Sequence, residues 1–196
     1  MKEKVIQFGE GGFLRGFVDY FFQKLTDKGL FDGSVVIVQP IEKGMCEMLM
    51  QQNCDYNLFL RGIENGQVVD EHTRISVISR CLNPYTEYEA YMKLAENPDF
   101  RFIVSNTTEA GIEFVADNRF EDAPAKSFPG KLTQLLYKRY QLGLPGFIVL
   151  SCELIDHNGE ELLKCCKQYA QLWGLEDGFT AWLEKENEFC STLVDR

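Results

Sequence analysis

An α/β fold, with a mostly parallel sheet flanked by helices and an inserted β-hairpin, is what this sequence of 196 residues predicts, and three observations carry the prediction. Short apolar runs rich in β-branched and aromatic residues alternate with segments of helical period, the order that builds strand-helix-strand units. The main runs end in polar tips: Gln39-Pro40 after residues 34–38, Ser105-Asn106-Thr107-Thr108-Glu109 after residues 100–104, and Ser151-Cys152-Glu153 after residues 146–150. Between the first run and the first helix lies Gln7-Phe8-Gly9-Glu10-Gly11-Gly12-Phe13-Leu14-Arg15-Gly16, a glycine-rich strand-to-helix junction. Ligands of open parallel sheets bind outside the carboxyl ends of the strands, so these features converge on one crevice.

The elements follow in order. Residues 5–8 form a short buried strand, after which Phe13, Leu14, Phe17, Val18, Phe21, Phe22 and Leu25 recur at helical spacing until Gly29 stops the helix. Residues 34–38 make a strand buried on both faces, followed by a helix over about 43–51. Residues 56–62 and 67–79 alternate as strands around Glu64-Asn65-Gly66, a hairpin turn in which Asn-Gly supplies the left-handed conformations. Residues 84–97 predict a helix with Tyr88, Tyr91 and Leu94 inward, then 100–104 a strand, 121–129 a loop and 130–140 a helix. A strand over 146–150 precedes two helices, about 159–173 and 178–190, the second carrying Phe179, Trp182, Leu183 and Phe189 on a face expected to be exposed and to favour self-association. The whole chain, 1–196, reads as one domain.

Composition narrows the partners. The net charge of −10 repels a nucleic-acid backbone or an anionic membrane surface, and 45% hydrophobic residues suffice for a sizeable core. No apolar run of about 18 residues occurs, and the start lacks the pattern of a secretory signal, so the expected location is the cytoplasm. The seven cysteines contain no Cys-x-x-Cys pair, and only His72 and His157 stand beside them as nitrogen ligands. We therefore expect thiols acting as small apolar residues and no metal site.

The glycine junction has a clear physical use. Glycines permit a tight turn and close backbone approach, and free N–H groups at a helix start attract a pyrophosphate. Gly9 and Gly11 fit the first two positions of Gly-x-Gly-x-x-Gly; Leu14 takes the third, with Gly16 two residues later. Thr107, Thr108 and Glu109 would set two hydroxyls and a carboxylate beside a cofactor ring and a polyol-like substrate, or cap the next helix locally. His157 offers acid-base chemistry near neutrality, while a helix cap formed by Asn158 explains the same Asp156-His157-Asn158-Gly159 stretch. Tyr20-x-x-x-Lys24 has the spacing of a short-chain dehydrogenase pair, but it lies on the first helix, away from any site of hydride transfer. Glu42 is a candidate for an adenosine ribose or for a pair with Lys43, and Gln39 carries no charge against a 2′-phosphate.

Taken together, Gln7 to Gly11 with Phe13-Leu14-Arg15, Pro40-Ile41-Glu42, residues 105–112, Asp122-Ala123-Pro124-Ala125, residues 152–155 with Asn158-Gly159, and residues 189–196 resemble the N-terminal part of the mannitol dehydrogenase family of polyol-specific long-chain dehydrogenases. Within it they resemble the hexuronate reductases that interconvert D-tagaturonate and D-altronate. The resemblance implies a Rossmann-type NAD domain, with a helical catalytic domain beyond residue 196 that supplies a lysine as acid-base. It implies cofactor contacts from Phe8, Gly9, Gly11, Gly12 and Phe13 at the turn. Glu42 would stand at the adenosine end and Asn106, Thr107 and Thr108 at the nicotinamide end. Glu109, Asn158 and Asp195 would face a sugar-acid substrate, and no catalytic residue is expected within the chain itself. Where the broader group has Asp-Asn-Leu, this chain has Glu153-Leu154-Ile155, leaving Asn158 as the nearest asparagine.

Other functions compete: a mannonate, fructuronate or other polyol oxidoreductase, a non-catalytic dinucleotide-binding module, or a methyltransferase using the glycine turn. The last lacks an acid at the second strand tip and the acidic-Pro-Pro-aromatic loop.

Overall fold

The computed structural model describes residues 1–108 and 111–194. Six parallel strands form one sheet: β1 (Lys2–Phe8), β2 (Gly33–Val38), β5 (Ile78–Leu82), β6 (Phe102–Ser105), β7 (Ile148–Ser151) and β8 (Glu188–Ser191). Their spatial order is β5-β2-β1-β6-β7-β8, so the chain turns away on both sides of β1. β3 (Tyr56–Glu64) and β4 (Gln67–Ile75) pair antiparallel as the separate hairpin.

Alternation along the strands makes two cores. Val35 and Ile37 point to one face with Leu14 and Leu49; Val36 and Val38 point to the other with Tyr91, Leu132, Leu162 and Phe179. The first face is covered by α1 (Gly12–Gly16), α2 (Val18–Asp27) and α3 (Cys46–Gln51), the second by α4 (Tyr88–Lys93), α5 (Phe128–Gln141), α6 (Asn158–Leu172) and α7 (Asp177–Lys185). The second contains the larger apolar cluster.

Several boundaries differ from expectation. The first helix is broken at Phe17, whose φ of −124° and ψ of −68° leave the helical region, although the rings of Phe13, Phe17 and Phe21 still contact one another in succession, tilted and then edge-to-face. The expected strand 67–79 is two strands in different sheets, divided at Ser76-Val77; Gln23 of α2 accepts the Ser76 N–H at 2.8 Å and fixes the break. α3 starts at Cys46 because residues 41–45 are held otherwise: the Gln39 amide donates to the Ile41 and Glu42 carbonyls and accepts from Cys46 N. The helix expected over 84–97 is α4 followed by a short 3₁₀ turn, Leu94–Glu96.

The last expected helix stops at Lys185, and Phe189 lies on β8, paired with β7. Phe179 and Leu183 are fully buried, with Trp182 and Phe189 packed against the same core. The exposed apolar face proposed for self-association is therefore spent inside the molecule. A second correction concerns the cysteines: Cys46 and Cys81 are joined by a disulfide, since α3 and β5 bring their Cα atoms to 5.4 Å, within bridging range. Burial pushes the Cys152 and Cys165 thiols up to about 11 and Cys166 to about 12, so these three remain protonated.

At the amino edge of the sheet, Arg139 is buried and donates to four carbonyls: Pro145 at 2.9 Å, Ala95 at 3.3 Å, Asn97 at 2.6 Å and Phe100 at 3.1 Å. Its guanidinium also lies 4.6 Å from the Phe147 ring centroid. Arg139→Ala should strip these acceptors of their donor and cost on the order of 3–5 kcal/mol, read as a lower urea midpoint at unchanged slope. A loss below about 1 kcal/mol would mean that water replaces the guanidinium.

Candidate nucleotide site

The site begins where β1 ends. Gly9 has a φ of +123°, and its N–H donates to the Val38 carbonyl of β2 at 3.1 Å. A Cβ there would meet the Asn106 carbonyl at 2.8 Å, so the turn leans directly on the loop after β6. Asn106 N in turn donates to the Phe8 carbonyl at 3.1 Å. This is the switch point of the sheet, where a crevice opens between diverging connections. Gly11 and Gly12 are exposed, and a Cβ on either would meet nothing within 4 Å. Phe8 lies beneath, fully buried against Phe128, and half-buried Phe13 packs on the opposite core.

Glu10 turns away from the open side: its Oε1 accepts from Met45 N at 3.2 Å, and burial raises its carboxyl above the usual range. Glu10 and Gln39 thus clamp residues 40–45 from both sides. Glu42 is exposed on that loop and lines a groove with Gln39, Lys43, Gly44, Cys46 and Asn83, beside the tip of β2.

Across the crevice, buried Glu153 organises the other wall. Its carboxylate accepts from Ser105 Oγ at 3.1 Å, Thr107 N at 3.1 Å and Thr107 Oγ1 at 3.0 Å, while the Asn106 amide donates to the Cys152 carbonyl. Burial raises the Glu153 carboxyl, and these hydrogen bonds oppose the rise. Thr108 is exposed with a φ of +78°. Glu109 and Asp195, two of the expected substrate contacts, lie outside the described residues.

Asn158 is not the cap of α6; His157, with a left-handed φ of 52°, holds that position and is exposed between Asp156 and Glu160. Asn158 is buried with its amide engaged on four sides. It donates to the carbonyls of Glu153 at 2.9 Å and Thr192 at 3.0 Å, and it accepts from Gly159 N and Thr192 N, each at 2.9 Å. The Lys24 ammonium lies 5.2 Å from the Tyr20 ring centroid, and the ring also contacts Phe21 and packs on the core beneath α2, a structural place outside the site.

The structure thus sets the Gly9 turn against Asn106, with Thr107 held beside it by Glu153, Gly11 and Gly12 exposed on the same turn, and Glu42 at the neighbouring strand tip. Sequence reasoning placed Glu153 in a polar tip but missed its hold on Ser105 and Thr107; it also missed Glu10 and the buried pair Gln7 and Asp19 under the turn. A carboxylate two residues past the end of an apolar strand was the available signal for Glu153.

Residues 3–196 match the Mannitol dehydrogenase Rossmann domain. Altronate oxidoreductase of Phocaeicola vulgatus is 52% identical over 198 residues, and that of Bacillus subtilis 48%. Each alignment covers 99% of this chain and 41% of the relative, so the chain spans about two fifths of their length. Among solved structures, the Pseudomonas fluorescens mannitol 2-dehydrogenase ternary complex with NAD and D-mannitol superposes with a TM-score of 0.81 at 22% identity, covering 96% of this chain and 41% of that one. A substrate-free D-sorbitol dehydrogenase gives 0.80, also at 22% identity. The open glycine turn at the switch point of a doubly covered parallel sheet defines a dinucleotide-binding type of domain. The chain belongs to the mannitol dehydrogenase family and corresponds to its Rossmann domain.

Proposed function

We propose that this chain binds NAD(H) and is the cofactor-binding part of an oxidoreductase that interconverts D-tagaturonate and D-altronate. The observation that carries the reading is the contrast within the turn: Gly9 has no room for a side chain, whereas Gly11 and Gly12 open onto free space where a pyrophosphate fits. The similarity to altronate oxidoreductases, at 45–52% identity, favours this substrate pair over a general polyol. When bound, NAD supplies the hydride acceptor for the alcohol or, reduced, the donor for the ketone.

The residues have separate tasks. Gly9 and Gly11 let the backbone approach the pyrophosphate, and the N–H groups leading into α1 donate to it. Glu42 serves the adenosine end, and Asn106, Thr107 and Thr108 the nicotinamide end, with Glu153 holding Thr107 in position. Glu109 and Asp195 meet the sugar acid; Asn158 reaches it only by exchanging one of its present bonds. Proton transfer falls to a lysine outside these residues.

Calorimetric titration tests the reading. NAD(H) should bind more tightly than NADP(H), since the exposed Glu42 carboxylate repels a 2′-phosphate, by a margin on the order of tenfold or about 1.4 kcal/mol. Tighter NADP binding, or binding of neither, would overturn it.

A further inference from the structure

Beneath the glycine turn lies a polar cluster in an otherwise apolar face. Gln7 of β1 and Asp19 of α2 are both fully buried. The Gln7 amide donates to the Gly9 carbonyl at 3.2 Å and, at the longer distance of 3.5 Å, to Asp19 Oδ2. The Tyr56 hydroxyl, reaching in from the hairpin, lies 2.7 Å from the Arg15 carbonyl and 3.0 Å from Asp19 Oδ2, so its single hydrogen is shared between these two acceptors. Two acceptors are left over: Gln7 Oε1 and Asp19 Oδ1 are buried without a hydrogen-bond partner. Two buried acceptors lacking any donor cost stability, and one proton on Asp19 is the economical remedy, because it turns an acceptor into a donor.

We propose that Asp19 is a positioning residue for the dinucleotide: protonated, it completes the network that fixes Gln7 and hence the Gly9 turn, and NAD(H) affinity falls when that proton leaves. This rests on the cofactor reading above. Burial pushes the Asp19 carboxyl up to about 7, against the opposing pull of Tyr56, Gln7 and Arg15. The charged or titratable groups facing it are the Tyr56 phenol of β3 and the Arg15 guanidinium of α1, the latter 5.6 Å from the Tyr56 ring centroid. β1 contributes the neutral Gln7, and the segment after β4 meets α2 through the neutral pair Ser76 and Gln23. Tyr56, 37 residues from Asp19 in sequence, makes the hairpin a brace for the turn.

The sign follows directly. The proton is held below neutral pH and lost above it, so affinity should be highest on the acid side of neutrality and fall by up to about tenfold per pH unit above it. Asp19→Asn mimics the protonated form and should keep the acid-side affinity across the range. Tyr56→Phe removes a bond to the carboxylate and should move the midpoint to higher pH. A flat wild-type profile, or an unchanged slope in Asp19→Asn, would overturn the proposal. Carboxyl ¹³C NMR of the chain without cofactor separates this from the NAD reading itself: Asp19 should titrate near neutrality, with the Gly9 and Gly11 amide shifts following. Titration in the ordinary carboxylate range, or turn amides that ignore it, refutes the positioning role even if no dinucleotide binds.

Discussion

Replacing Gly11 with Val is expected to abolish NAD(H) binding while the chain still folds. Gly11 has a φ of −69° and a ψ of 168°, an extended conformation that any residue adopts, and its missing Cβ points into open space. The fold therefore accepts the side chain and the pyrophosphate does not. Calorimetry should register a loss of at least about a hundredfold, roughly 2.7 kcal/mol, with an unaltered melting curve. The same change at Gly9 would strain a φ of +123° and strike Asn106, and so would damage the fold itself. Affinity that survives Gly11→Val would move the phosphate site elsewhere.

The chain alone should bind cofactor yet turn over altronate or tagaturonate poorly. Positioned acid-base catalysis contributes about 10²–10⁴-fold, and its lysine is expected outside these residues. Without the rest of the site nothing holds the carbinol carbon near the nicotinamide, and the loss of orientation adds to the deficit. NADH oxidation by this chain, measured beside a product extended past residue 196, gives the answer. Comparable rates would place the acid-base inside these residues. Lys131 would then be the first to test, because burial lowers its ammonium to about 8 while its Nζ donates to the Lys126 carbonyl at 2.7 Å.

The sheet's centre was legible because its strands are short, apolar and followed by polar tips; its rims were not. β5 was absorbed into the hairpin strand, since alternation continues through Ser76-Val77 although the chain there changes sheets. β8 was absorbed into a helix, because Phe189 falls seven residues after Trp182, close to two helical turns, and four residues leave little pattern of their own. The glycine turn announced itself through residue types that only a tight turn requires. Its supports did not. Asp19 looks like an ordinary first-turn acid, and only the distant Tyr56 and the burial of both reveal a network. The Cys46–Cys81 link escaped for the same reason: a separation of 35 residues carries no local signal. Asn158 was marked by sequence as a helix cap and as a substrate contact, but nothing local announced that its amide ties the β7 tip to the strand end at Thr192.

Arg139 has a consequence for how the amino edge tolerates change. Every acceptor it engages is a main-chain carbonyl, which all twenty residue types provide. Exchanges at Asn97 or Pro145 that preserve the path of the backbone leave the arginine's bonds intact, so those loops are free to drift in composition while the arginine is not. A library randomised at the two positions should therefore return many folded members, and one randomised at Arg139 very few.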